Sequence, residues 1–381
     1  MTDGLPRLIC DADSHIMELP DFLRQHADPV LRDALPRIAM DTDRRRTMVG
    51  DAITLGHHSA ETVAALTAYG GDLLAGPKDY NALGAFNGQE RRLAVDLLGL
   101  RRQLVFPSFA VVPVFYNQQG SALTYGAARA LNRAMAAFCG GDNRLTGVGL
   151  LPIDDPALAQ EEIEHIIRLG LHAVWVPHQG LPGYALRPRS LEPVWARMAE
   201  AGLVLACHIM PPLDLARRMT GIGEVIPPET LEGDDMPRSD QVVFASEPVQ
   251  ALLGRLIFDG VLQRYPALHC IIVEFGGGWV PEMMQRLDAA AAQIFRGAGR
   301  APARRPSEQV LDQCLFTPYH HEDVGAMIRA SDSRLYAFST DYPHIEGGRD
   351  PIASFDATMA DCTEAQRAAF YAGNFLRVFG E

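Results

Sequence analysis

Short apolar runs recur along the chain, and stretches of helical periodicity separate most of them. The runs are Arg7–Cys10, Gln103–Phe106, Thr146–Leu151, Ala173–Val176, Leu203–Cys207, Leu268–Val273, Gln313–Thr317 and Leu335–Ser339. Apolar positions at helical spacing mark Arg91–Gly99, Tyr125–Phe138, Leu158–Leu169, Leu191–Glu200, about Pro248 to Gln263, and Ala365–Phe379. Most of the runs are continuous rather than alternating, as expected of parallel strands buried on both faces. Repeated strand-then-helix order predicts an α/β fold with a parallel sheet. Eight such runs predict a closed (β/α)8 TIM-type barrel.

A barrel needs only about 250 residues, whereas this chain has 381. We expect a single barrel domain over 1–381, with the surplus in insertions at about 21–88 and 210–246. The first is rich in Pro, Gly and Asp; the second carries Pro211-Pro212, Pro227-Pro228 and the acidic run Glu232–Asp235. Both follow strands, one and five, so both are expected over the C-terminal mouth. Lids, specificity elements and subunit contacts are the usual uses of such loops.

In barrels of this kind the chemistry sits where strands end. Polar residues cluster there. The first run leads into Asp11, Asp13 and His15, which alternate so that one face of a strand would carry them. Later runs end at Ser108, Asp154, His178, His208, Glu274, His320-His321 and Asp341, with His344 and Glu346 just beyond. Carboxylate oxygen with imidazole nitrogen is a donor mixture that zinc, manganese and iron(II) accept. A lone strand-end His is more often a structural hydrogen-bonding residue, and Asp341 before Tyr342-Pro343 could cap a helix. The conjunction of strands one, five and eight is what points to a metal. Gly276-Gly277-Gly278 lacks phosphate-loop spacing and reads as a turn.

Composition narrows the partners. The formal charge of -13 disfavours nucleic acid, and no apolar run is long enough to span a membrane. Six cysteines are scattered without a CxxC pair, as in a protein of a reducing compartment. No leader pattern is visible, so a cytoplasmic enzyme of small molecules is expected.

The chain resembles the amidohydrolase superfamily, and more narrowly the group that includes aminocarboxymuconate-semialdehyde decarboxylase and γ-resorcylate decarboxylase. The stretches that carry the resemblance are DADSHIME at 11–18, the strand ending at His208, and LIFDGVLQRYPALHCIIVE at 256–274. EFGGGWVPEMMQRLD at 274–288 and STDYPHIEG at 339–347 complete them. The resemblance implies a barrel holding one divalent ion, Zn2+ or Mn2+, on Asp13, His15, His208 and Asp341. It implies Asp341 as the proton carrier and Glu18, His344, Glu346 and Asp11 as supports around the ligands. The chain departs from the family at Glu274, where several family decarboxylases have a catalytic His. Glu274 is therefore expected either to carry a proton or to orient a ligand. His178 is a further catalytic candidate, and His320 and His321 are candidates for substrate contact. The implied reaction is non-oxidative decarboxylation of an aromatic or unsaturated acid. The alternative is metal-dependent hydrolysis of an ester, lactone, amide or C–C bond; a barrel that binds a ligand without turnover stands third. Family habit makes a homodimer one expectation, which no residue here fixes.

Overall fold

The structure is a computed structural model and describes residues 7–38, 50, 52–115, 120–178, 188–209, 245–297, 299 and 301–380. Seven strands are present among these: β1 (Cys10–Ile16), β2 (Arg102–Pro107), β3 (Leu145–Leu150), β4 (Ala173–Trp175), β5 (Val204–His208), β6 (Cys270–Val273) and β7 (Cys314–Phe316). They pair in chain order into one parallel sheet. Every strand is buried along its whole length, which is why the sequence shows continuous rather than alternating apolar runs. Helices between the strands start where the sequence supplies caps. Asn87 accepts the amides of Gln89 and Glu90 ahead of Gly88–Leu98, and Asp155 caps Pro156–Arg168 with proline in its first turn.

The eighth expected strand, Leu335–Ser339, forms no ladder. The segment still joins the two ends of the sheet. The Ala337 amide donates to the Phe316 carbonyl at 3.0 Å, and the Ala12 amide donates to the Phe338 carbonyl at 2.9 Å. Isolated bridges pair Phe316 with Tyr336 and Ser14 with Tyr342. A ladder is missing because neighbouring elements take its backbone groups. The Asn374 side chain donates to the Tyr336 carbonyl at 2.8 Å, and the Phe338 amide donates to the Phe370 carbonyl at 3.0 Å.

β1 differs from expectation in its span: it begins at Cys10, where the apolar run Arg7–Cys10 ends, and carries Asp11, Asp13 and His15 within the strand as far as Ile16. Polar composition suggested a strand end, but the sheet buries these side chains completely. Strict alternation fails as well. The register against β2 slips between Asp11 and Ser14, so three steps along β1 match two along β2. Such a bulge re-aims side chains, and it separates the surroundings of Asp11 from those of Asp13 and His15.

Of the range expected as the first insertion, Phe22, Leu23, Leu35 and Ile38 join the main core, and later residues build a second small one. Leu66, Leu73, Leu74, Tyr80, Leu83 and Phe86 pack around Met17 and Tyr342. Its backbone braces the loop after Asp341: the Asp79 amide donates to the Pro343 carbonyl at 2.8 Å. Insertion 210–246 lies almost wholly outside the described residues. A buried pair locks the first insertion to the helix Gly88–Leu98. Glu90 accepts the His58 amide at 2.8 Å and meets the His58 ring Nδ1 at 2.7 Å. Burial alone would raise the Glu90 carboxyl, but the hydrogen bonds from His58 hold it below its ordinary 4.5. We predict that Glu90→Ala lowers unfolding free energy by about 2–3 kcal/mol at neutral pH. Because the folded value is the lower one, the contribution is complete above about pH 4.5 and fades as the pH falls further. Denaturant titrations of both proteins across this range check the loss and its sign.

Candidate metal centre

β1 presents Asp13 and His15, β5 ends on His208, and the residue after β6 is Glu274. Their donor atoms converge. His15 Nε2 lies 3.0 Å from His208 Nε2 and 3.3 Å from Asp13 Oδ1. His208 Nε2 lies 3.5 Å from Asp13 Oδ1 and 3.3 Å from Glu274 Oε2. Asp341 approaches from the closing segment, with Oδ1 3.4 Å from His15 Nε2. Two donors each about 2.1 Å from one ion lie roughly 3.0 Å apart at a right angle and roughly 3.4 Å apart at the tetrahedral angle. The separations among Asp13, His15, His208 and Glu274, and that from Asp341 to His15, match the edges of a coordination polyhedron.

Hydrogen bonding points the same way. His208 Nδ1 sits 2.8 Å from the Ile209 carbonyl, which can only accept. The proton is therefore on Nδ1, and Nε2 offers a lone pair to the centre. Asp13 Oδ1 and Asp341 Oδ2 are buried with no hydrogen-bond partner among the described residues, while Asp341 Oδ1 faces the His344 ring at 3.2 Å. Asp13 is 1% exposed and Asp341 7%, so water does not solvate them. Orphaned buried carboxylate oxygens are costly unless something positive meets them. The donor set therefore fits a divalent cation, and neutral imidazole with ionised carboxylate is the state ligation needs.

Electrostatics at the centre follow from crowding. Burial, with His344 and His208 nearby, pushes the His15 ring down to about 3, so it is neutral at pH 7. Burial opposes ionisation of Asp13, but His208 and His15 hold its carboxyl below the usual range. Burial lifts Asp341 to about 6; His344 pulls it back, and Asp13 and Glu346 add to the rise. Burial pushes Glu274 well above the carboxylate range, reinforced by Asp341, Asp13 and Glu346. Burial would lower His344, yet Asp341 and Glu346 raise it to about 9.

The supporting residues divide clearly. Asp11 faces away from the convergence. It accepts from the Asp13 amide at 3.2 Å, Gln103 Nε2 at 2.8 Å, the Thr340 amide at 2.9 Å and Thr340 Oγ1 at 2.6 Å. It ties β1, β2 and the closing segment together. Glu18 accepts the amides of Ser108, Phe109 and Ala110 at 2.8–3.2 Å, fixing the loop after β2. That loop carries Ser108, which sequence reasoning passed over as a site residue. Ser108 Oγ lies 3.3 Å from His15 Nδ1 and 2.9 Å from His344 Nε2. Its position directly after a barrel strand was the available signal. His344 stacks on His15 at 4.1 Å and meets Asp341 Oδ1 at 3.2 Å.

A small open cleft lies over the centre, lined by Asp13, Glu274, Tyr319, His320, Asp341 and Glu346 among others. His320 and His321 are not equivalent: His321 stacks on Tyr319 at 5.3 Å and lies outside this lining. Glu346 is exposed at the rim. His178 is buried, edge-on to Phe275 at 5.0 Å, and is not in the lining. The amides of Gly277 and Gly278 donate to Glu322, so this glycine run is an internally satisfied turn.

A family model described as amidohydrolase matches residues 83–380. The chain belongs to the amidohydrolase family. β1, with Asp13 and His15, precedes the matched residues. Solved structures share this amidohydrolase's fold. An amidohydrolase of Mycobacterium avium subsp. paratuberculosis K-10 is 20% identical, with 99% of both chains covered and a TM-score of 0.74. 5-Carboxyvanillate decarboxylase of Sphingomonas paucimobilis is 21% identical, with 98% of both chains covered and a TM-score of 0.61. A dihydroxybenzoic acid decarboxylase of Polaromonas sp. JS666, solved with manganese and the inhibitor 2-nitroresorcinol, is 17% identical. There 98% of this chain and 97% of that one are covered, with a TM-score of 0.59. No curated protein matches this amidohydrolase in sequence.

Asp11 gives the local test. Thr340→Val keeps the side-chain shape but removes one donor to a buried carboxylate. We predict a loss of about 1.5–3 kcal/mol of stability. Chemical denaturation measures it, and an unchanged midpoint would show that Asp11 does not hold the closing segment.

Proposed function

We propose that this enzyme is a divalent-metal-dependent, non-oxidative decarboxylase of an aromatic or unsaturated carboxylic acid. The observation that carries the proposal is the convergence of Asp13, His15 and His208, with Asp341 Oδ1 3.4 Å from His15 Nε2 and with orphaned carboxylate oxygens, beneath an open cleft. Fold similarity to aromatic-acid decarboxylases supports it. Asp13, His15, His208 and Asp341 would hold one ion, Mn2+ or Zn2+. Bound there, the ion supplies positive charge that holds and polarises an anionic substrate.

The chain's own residues supply the proton handling. Asp341 delivers a proton to the carbon that bears the carboxylate. The carbon–carbon bond then breaks, its electron pair returns to the unsaturated system, and carbon dioxide leaves. His344, 3.2 Å from Asp341 Oδ1, is placed to restore the proton. His320 lines the cleft and would meet a polar substituent of the substrate. His178 is buried edge-on against Phe275, the residue after Glu274, and would act on the site through that packing.

One observation favours a second reading. Glu274 and Glu346 line the same cleft and would oppose an anionic acid. A neutral ester, lactone or amide would avoid that cost, with Asp341 taking a proton from water instead of giving one to carbon.

The two readings separate in one assay. Mn2+-loaded protein is offered dihydroxybenzoates, carboxyvanillate and unsaturated acids, and carbon dioxide is measured. Release that a chelator abolishes is expected, with Asp341→Asn lowering kcat by about 10²–10⁴-fold. No release, alongside metal-dependent turnover of esters, lactones or amides, would replace decarboxylation with hydrolysis.

A further inference from the structure

We propose that Glu274 is a direct fifth protein donor to the ion, so that three carboxylates and two imidazoles enclose it. The proposal rests on the metal-centre reading above and goes beyond its four ligands. Glu274 Oε2 lies 3.3 Å from His208 Nε2, the same edge length that relates the other donors. One atom each from Asp13, His15, His208 and Glu274 lies within 4.8 Å of the others, whereas Asp341 lies outside that quartet, grouped with His15 and His344, and completes the set by moving toward the ion.

The alternative, that Glu274 orients a ligating histidine, conflicts with the hydrogen bonding. A carboxylate that orients a ligating imidazole sits at the nitrogen away from the metal. For His208 that nitrogen is Nδ1, and the Ile209 carbonyl occupies it. For His15 it is Nδ1 again, where Ser108 Oγ lies. Glu274 instead faces the bare Nε2 lone pair of His208. A carboxylate oxygen and a lone pair repel at this distance unless a proton or a cation lies between them. Asp13 Oδ1, buried and without a hydrogen-bond partner, faces the same point.

The backbone holds Glu274 in place for this task. Its amide donates to Thr317 Oγ1 at 2.9 Å, and its carbonyl accepts from Tyr319 OH at 2.9 Å. Its φ is 60°, in the left-handed region, and Asp341 has φ 52°. Side chains other than glycine adopt this conformation rarely and at a cost. Among the described non-glycine residues only Asp79 shares it, so the cleft's two loop carboxylates account for most cases. The resulting donor set, three oxygens and two nitrogens, is harder than a site built from two carboxylates and two imidazoles. It favours Mn2+ relative to Zn2+.

Metal binding tests this without turnover. The full-length protein is stripped with chelator and titrated with Mn2+, followed by electron paramagnetic resonance of the free ion, and in parallel with Zn2+. Wild type is expected to bind one Mn2+. E274Q is expected to lose more than ~100-fold in Mn2+ affinity, beyond the ~10–100-fold typical of partners outside the coordination sphere. Zn2+ affinity falls less. A Mn2+ loss of about 100-fold or less in folded E274Q overturns the proposal while the four-ligand centre stands. Wild type that binds neither ion overturns the centre itself and the proposal with it. Co2+-loaded wild type gives a readout that needs no variant. Weak visible absorption of five- or six-coordinate Co2+ is expected, and intense four-coordinate bands would exclude five protein donors.

Discussion

The mouth of the barrel depends on the seam between β1 and the segment that follows residue 337. The Asp341 amide donates to the Asp13 carbonyl at 2.8 Å, and the His15 amide donates to the Tyr342 carbonyl at 2.7 Å. Beneath these bonds Asp11 gathers four donors from β1, β2 and Thr340. The seam replaces a full eighth ladder and brings the first and last parts of the chain together. The seam brings Asp341 Oδ1 to 3.4 Å from His15 Nε2. The buried Asp11 carboxylate is thus a structural bracket, and its four partners explain how a charge-bearing group is tolerated there.

Above the seam the constraint changes from hydrogen bonding to its absence. Asp13, Asp341 and Glu274 crowd two imidazole nitrogens, and Asp13 Oδ1 and Asp341 Oδ2 have no donor among the described residues. The surrounding shell is by contrast well satisfied. Glu18 fixes the Ser108 loop, Ser108 bridges His15 and His344, and Glu322 closes the glycine turn after β6. Rigid, satisfied surroundings with an unsatisfied centre are what a preorganised cation site requires. Leu66, Leu73, Leu74, Tyr80, Leu83 and Phe86 add to the rigidity by packing with Tyr342.

Much of this was legible in the sequence, for identifiable reasons. Parallel strands buried on both faces leave continuous apolar runs, so β2 to β7 were visible as such. Strand-end polar residues are rare enough that Asp13, His15, His208, Glu274 and Asp341 stood out. The residues that escaped depend on geometry without local pattern. The β1 bulge cannot be read from alternation, so the strand's true span was hidden, although the family resemblance had already set Asp11 apart from Asp13 and His15. Ser108 matters because two histidines far apart in the chain meet its hydroxyl. His320 and His321 looked alike until stacking on Tyr319 set His321 apart. The ladderless eighth segment follows from competition by Asn374 and Phe370, which no local reading could anticipate.

The central claim is that these side chains surround one cation. A crystal structure grown with Mn2+, with data collected at energies that reveal manganese by its anomalous scattering, tests it most directly. One anomalous peak within about 2.0–2.3 Å of Asp13 Oδ1, His15 Nε2 and His208 Nε2 is predicted. Well-ordered side chains in the same arrangement with no peak between them would contradict the account.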